Sequence, residues 1–407
     1  MKRSKLVFGV FFLLLVLVLT PLMGACEEEP PPEAEVLKIG MITSVTGPMA
    51  PAFKPMVDAA QPAADLVNQR GGITVNGQQY LIEIVVEDDM SSPEGAVAAA
   101  TKLIGEGVKF IIAPMFMPCN MAITPFCIEA KVLRMKPLGS GPEECNPETP
   151  YTFEAGVSLY NIVPTYDYLV ENYPEVKKIA MVWPDDPGMN TTGPTCEQEA
   201  LNRGLEVVFN ERYAIPTEDF YPILTKALDE NPDAICCVTT IVPWAAGIIN
   251  QSRELGFTGV IYAPNLFGDI NLVNSMLNPE YAYDIFHSGP DVLSDEMLPI
   301  VKDFRPMVEA ASGTPLTMDN VLTLDALWTI LTGIEAAQSL DVEDVVAALE
   351  TMSSIDTVWG TGRMGGQDLF GINHVVIHPV PFSRIENGTV EHLGFLEAMG
   401  PASLPAQ

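Results

Sequence analysis

Basic residues are scarce in this chain: 21 Lys and Arg stand against 53 Asp and Glu, a formal net charge of −32. Phosphate backbones demand clustered cations, so nucleic acid is disfavoured as a partner. Histidine is scarcer still. The four present, His287, His374, His378 and His392, fall in no His-Glu-x-x-His or comparable frame. His374 and His378 share one face of a strand, but four residues at about 3.3 Å each set them about 13 Å apart, too far for one metal. Seven cysteines include no Cys-x-x-Cys, which removes support for a redox or zinc site. Gly-x-Ser-x-Gly, Gly-x-x-x-x-Gly-Lys and Gly-x-Gly-x-x-Gly are also missing, so acyl transfer, nucleotide hydrolysis and dinucleotide redox chemistry lack their parts. The expectation is a protein that is not an enzyme and carries neither metal nor cofactor. Gly139-Ser140-Gly141 has no following Lys and reads equally as a ligand loop or a plain turn.

What is present begins with a hydrophobic leader. Lys2, Arg3 and Lys5 precede residues 6–19, which carry no charge, and Leu22-Met23-Gly24-Ala25-Cys26 follows. That is a secretory signal spanning 1–25, with Cys26 placed to carry lipid after cleavage; the pattern resembles a bacterial lipobox, from which Met23 is a departure. The competing reading is an uncleaved anchor, since about 20 residues span a bilayer. Thr20-Pro21 and Gly24 spoil such a helix, and either reading leaves the rest of the chain outside the cytoplasm. Residues 26–35 are acidic and proline-rich, too poor in apolar surface to fold, and read as an extended tether. The acidic balance of the whole suits solubility in saline surroundings and leaves a cationic ligand open.

About 370 residues remain, too many for one compact core. They start with a strand at 37–42, a helix at 57–68 stopped by Gly71-Gly72, a hairpin turn at Val75-Asn76-Gly77-Gln78, and an apolar strand at 80–86 ending in Glu87-Asp88-Asp89. Helices at 92–104, 162–171, 195–203, 220–230 and 244–255 then alternate with strands at 110–113, 132–135, 178–183, 205–209, 234–238 and 260–262. This regularity predicts an α/β fold with parallel, doubly wound sheets. Ligands of such sheets bind outside the carboxyl ends of the strands, which assigns residues 114–120 and 137–142 to the first half of a site. Cys236 and Cys237 lie in an apolar run and read as buried strand residues.

The ordered series KIGMITSVTGPMA, VNQRGGITVNGQ and EIVVEDDMSSPEGAVAAATKLI resembles the leucine/isoleucine/valine-binding family of type I periplasmic binding proteins, and the likeness runs to about Leu396. The resemblance implies two Rossmann-like lobes joined by a three-strand hinge: 36–153 plus 288–357, and 154–287 plus 358–398, with crossings near 150–154, 285–290 and 356–360. It also implies capture of a small molecule by hinge closure, delivery to the permease and ATPase of an importer of the ATP-binding cassette class, and a monomer. The alternatives are branched-chain amino acid binding and a sensory role for the same closed form. In that topology Cys119, Cys127 and Cys145 fall near one another, so one disulfide among them is expected, its pairing open.

Relatives that take amino acids hold the α-carboxylate with hydroxyls and amides from the loop after the strand at 110; here that loop offers Phe116, Met117 and Pro118. They hold the α-ammonium with a carboxylate where this chain has Asn265, which cannot balance a desolvated charge. Ser140 keeps a hydroxyl in the expected place. Tyr is lacking near Gly188, and Asp185, Asp186 or Glu154 is available as a displaced acid. The expected ligand-facing set is therefore Phe53, Phe116, Met117, Pro118, Ser140, Glu154, Trp183, Asp186, Ile241, Asn265 and Leu266, with Met115, Trp244 and Phe267 as further bulky groups at strand ends. The pocket so built prefers an apolar or aromatic molecule, an acid or amide included, over leucine, isoleucine or valine.

Overall fold

The computed structural model describes residues 34–139, 141–156, 159–186, 189–238, 240–265 and 268–404. The leader and most of the tether, Cys26, Ser140, Gly188, Leu266 and Phe267 lie outside the described residues.

Two sheets organise the chain. The first has nine strands in the spatial order Ile355–Thr357, Gly360–Gly365, Val375–Ile377, Thr152–Glu154, Leu133–Lys136, Phe110–Ile112, Glu35–Thr43, Gln78–Asp88 and Ile73–Val75. Its six central strands are parallel, and antiparallel hairpins finish both edges. The second has seven strands, ordered Thr389–Leu396, Val380–Glu386, Ile285–His287, Val260–Ala263, Ala234–Cys237, Lys178–Pro184 and Glu206–Tyr213. The first two of these run antiparallel to their neighbours and the rest are parallel.

Several inner strands are short and apolar because helices cover both faces of each sheet. Phe110–Ile112, Ala234–Cys237 and Val260–Ala263 are buried at every position. Helices Ala50–Gln69, Pro299–Ser312 and Met318–Ala337 close one face of the first sheet, and Pro93–Gly105 with Met117–Ala130 closes the other. Leu159–Asn172 and Met189–Asn202 pack on one face of the second sheet, Tyr221–Asp229, Val242–Glu254 and Ile270–Met276 on the other. Helix starts follow local chemistry. Ser92 extends from the strand side, accepts the Gly95 amide at 3.1 Å, and is followed by Pro93, whose missing N–H costs nothing in a first turn.

The chain passes between the sheets three times, after Glu154, after His287 and after Ile377. The third passage corrects the expectation of a crossing at 356–360. Residues 355–365 form an antiparallel hairpin in the first sheet, and residues 375–377 stay there too. Buried Asp325, on helix Met318–Ala337, pins that hairpin: it accepts the Val358 amide at 3.2 Å and the Trp359 indole N–H at 3.0 Å. His378 and Pro379 alone then link Ile377 to the second-sheet strand that starts at Val380.

Cys119, Cys127, Cys145, Cys196, Cys236 and Cys237 are all free and buried, so the disulfide expected among the first three does not form. Cys119 and Cys127 pack into the apolar layer under helix Met117–Ala130, whereas Cys145 belongs to the core of the second sheet's helices. Among the described residues, no helix is long and apolar enough to cross a membrane.

Candidate ligand-binding cleft

The carboxyl ends of the parallel strands in both sheets face a common seam, and two hydrogen bonds locate it. The Thr191 hydroxyl, in the first turn of helix Met189–Asn202, donates to the Glu143 carboxylate on the loop after Leu133–Lys136. The Met318 amide, opening helix Met318–Ala337, donates to Asp269 Oδ2 at 3.0 Å, while Oδ1 of the same carboxylate accepts the Asn271 and Leu272 amides at 3.0 Å each. Asp269 thus caps one helix from each half of the molecule, placing a negative charge where both helix dipoles favour it.

On the first-sheet side, the loop after Glu35–Thr43 is held by the acids that end Gln78–Asp88. Ser44 donates to Asp89 at 2.6 Å, and Asp88 accepts the amides of Val45, Thr46 and Met90 at 3.0, 3.1 and 2.8 Å. Burial opposes the Asp88 charge, but the Thr46 hydroxyl and these amides outweigh it and hold the carboxyl below its ordinary range.

Beneath the loop after Leu133–Lys136 lies a buried polar cluster. Arg134 and Lys136 alternate with apolar residues on that strand, and both side chains are fully enclosed. Arg134 donates to the Asn120 carbonyl and side chain at 2.8 and 2.9 Å, to Thr124 at 3.0 Å and to Thr152. Lys136 pairs with Glu144, whose other oxygen accepts from Asn120 at 3.0 Å. Glu154, the last residue of Thr152–Glu154, is 0% exposed, and neither of its oxygens accepts a hydrogen bond from the described residues. Its carboxyl fills the space where a side chain at position 139 would stand: a Cβ on Gly139 would lie 1.9 Å from Oε2. Burial first, then the charges of Glu144 and Glu143, push the Glu154 carboxyl well above the usual range, and Lys136 only partly offsets them.

The sequence-predicted residues divide between seam and core. Phe116 precedes helix Met117–Ala130, with Met117 and Pro118 as its first residues; Phe116 and Met117 are half-buried and Pro118 exposed. Phe53 is half-buried against the first-sheet core. Ile241 stands at the start of Val242–Glu254, 38% exposed. Asn265 is buried behind Ser288, whose hydroxyl donates to its carbonyl at 3.0 Å, and Asp186 is half-buried with its carbonyl accepting the Met189 amide at 3.0 Å. Trp183 departs from its predicted place on the cleft wall. Its indole N–H donates to Asn210 at 2.7 Å, the Arg212 guanidinium covers one face at 4.3 Å, and Gly193 packs so closely that a Cβ there would sit 2.2 Å from the ring. Trp244 packs edge-on against Tyr213, 5.9 Å between ring centres.

Sequence reasoning missed the Glu143–Thr191 and Asp269–Met318 bonds and the Lys136–Glu144 pair. One signal was available for the last: two cations at alternate positions of a buried strand require buried partners. The described residues contain no cluster of His, Cys, Asp and Glu able to hold a metal ion. A separate open concavity of about 680 Å³ lies at the amino ends of the second-sheet strands, between Tyr173, Asp233, Phe257 and Asp284, on the side away from the seam.

Comparison with known proteins agrees with this architecture. A model of the family described as periplasmic binding protein matches residues 36–389. A Leu/Ile/Val-binding protein of Rhizobium johnstonii is 27% identical over 202 residues, 49% of this chain and 53% of that protein, so the match spans about half of that relative's length. Among solved structures, a leucine binding protein from Thermotoga maritima superposes with a TM-score of 0.72 at 22% identity, covering 89% of this chain and 99% of its own. A solute binding protein of an ABC transporter from R. palustris, in complex with 4-hydroxybenzoate, gives 0.72 at 22% identity, covering 90% and 98%.

Proposed function

Because the chain belongs to the periplasmic binding protein family, we propose that it is an exported, lipid-anchored solute-binding protein of an ATP-binding cassette importer, which captures a small apolar or aromatic organic molecule between its two lobes. The lobes move as units about the three connections, the permease and ATPase of the importer receive the closed form, Cys26 carries the lipid, and the protein acts as a monomer. The observation that carries the ligand reading is the chemistry of the seam. Phe116, Met117 and Pro118 stand at the start of a helix where an amino acid carboxylate would need donors, and the buried amide of Asn265 stands where its ammonium would need a charge. The fold shared with the 4-hydroxybenzoate-bound protein supports an aromatic body. Branched-chain amino acid binding is the second reading, favoured by the leucine-binding relative of the same fold.

Calorimetric titration of refolded, ligand-free protein with 4-hydroxybenzamide, a neutral aromatic amide, and with leucine tests the assignment. Tighter binding of the aromatic compound is expected, and submicromolar leucine binding overturns it. Scattering should show a smaller radius of gyration with saturating ligand, and an unchanged radius removes hinge closure. Labelling with radioactive palmitate, lost in Cys26→Ala, tests the anchor.

A further inference from the structure

We propose that Glu154 is the cleft's anchor for a positively charged nitrogen, which makes the ligand class a small amine with an apolar or aromatic body; this rests on the solute-binding reading above. Three observations converge on it. The residue ends a first-sheet strand at the first connection between lobes, and the loop folded over it is the one whose Glu143 touches Thr191 of the second lobe. Its side chain is completely buried with both oxygens unpartnered among the described residues, an arrangement that costs free energy until a donor arrives. Every charge facing it is otherwise committed: Lys136 from the neighbouring strand is neutralised by Glu144, and Glu143 is engaged by Thr191.

The electrostatic balance selects the sign of the ligand. Lys136 and Glu144 cancel, which leaves the fully buried Glu154 carboxyl to set the balance, with Glu143, the Cys145 thiol and the Tyr160 phenol as the other titratable groups that face it. An incoming carboxylate would set a second acid against Glu154 with no cation among the described residues free to meet it. An incoming ammonium would donate to both Glu154 oxygens and balance that one carboxylate. Gly139 is part of the device, since any side chain there would occupy the carboxyl's volume.

Binding then has a proton signature. Without ligand, burial and the neighbouring glutamates raise the Glu154 carboxyl's affinity for a proton. An ammonium lowers the carboxyl's affinity for that proton, which leaves for solvent as the ion pair forms. Affinity therefore rises with pH, by up to about tenfold per unit, until the free protein is itself deprotonated.

The test is calorimetry of the full-length protein in detergent with four probes of matched skeleton: benzylamine and benzoate, isoamylamine and isovalerate. Titrations are repeated in two buffers of different ionisation enthalpy. The expected result is amine over acid on each skeleton, proton release on amine binding, and a loss of roughly 10- to 100-fold in Glu154→Gln together with the proton release. Acids binding tighter than amines, amine binding without proton release, or unchanged affinity in Glu154→Gln each overturn the inference. The proton count needs only the wild-type protein, so a variant that fails to fold does not shelter the idea. The aromatic reading is judged separately: the aliphatic amine winning over benzylamine refutes the aromatic body and keeps the anchor, benzoate winning does the reverse, and four silent probes refute both.

Discussion

Replacing Trp183 by Ala measures which side of its strand the indole serves. The ring is 6% exposed, donates to Asn210 at 2.7 Å, lies under Arg212 at 4.3 Å and rests on Gly193. Truncating a buried Trp to Ala costs about 3–5 kcal/mol through lost transfer energy and the cavity left behind. The indole hydrogen bond accounts for about 1 kcal/mol of that, and the contact with half-exposed Arg212 for about 0.5–1 kcal/mol. Trp183→Phe, which keeps a ring on Gly193 but loses the donor, should therefore cost about 1–2 kcal/mol. Gly193→Ala should cost about 1–3 kcal/mol from the opposite direction, by overpacking the same contact. Urea unfolding followed by circular dichroism reads all three, with ligand affinity measured alongside. A Trp183→Ala protein that unfolds at the wild-type urea concentration while losing ligand would refute core packing and return the indole to the cleft wall.

Three further expectations follow from buried groups. Lys136→Met strands Glu144 without its cation and should destabilise by about 3–5 kcal/mol, whereas Lys136→Met with Glu144→Leu should recover most of that loss; equal losses in single and double variants would show the pair to be unimportant. Burial raises the Asp325 carboxyl to about 7 despite bonds from Val358 and Trp359, so the folded state holds its proton more tightly than the unfolded chain. Its stabilising share is then complete below the unfolded value and fades as pH rises toward 7, at up to about 1.4 kcal/mol per unit; melting curves from about pH 5 to about pH 8 should decline less steeply in Asp325→Asn, and parallel curves would contradict the assignment. Burial lifts the Cys119 and Cys236 thiols to about 12, so a thiol reagent at neutral pH should label none of the six described cysteines until denaturant is added; prompt labelling of native protein would show that these sites open.

The alternation of strand and helix was legible because each element carries its own period and its own stops. Phe110–Ile112 and Ala234–Cys237 are apolar throughout, and Gly71-Gly72 ends the first helix wherever its start is drawn. The third crossing was not legible. Trp359-Gly360 reads as a turn in either topology, and the choice between a hairpin and a lobe change is made by Asp325, more than 30 residues earlier in the chain. The site was half legible for a related reason. Strand ends give the loops that meet the seam, and Phe116, Asn265 and Glu154 stand at such ends. The direction of a strand-end aromatic depends on what the next helix leaves open, and for Trp183 that is one glycine ten residues on.

The last passage between the sheets has a kinematic consequence. Only His378 and Pro379 separate Ile377 in one sheet from Val380 in the other, and three Cα steps hold those two residues within about 11 Å of each other whatever the lobes do. A point on so short a leash would lie close to any axis about which the halves swing. A solute resting on one half-site therefore meets the second at a fixed effective molarity instead of by diffusion, and the freedom that two separate bodies would lose on docking is already absent from the covalent chain. Glycines inserted between Ile377 and Val380 would leave both half-sites chemically intact and weaken capture all the same.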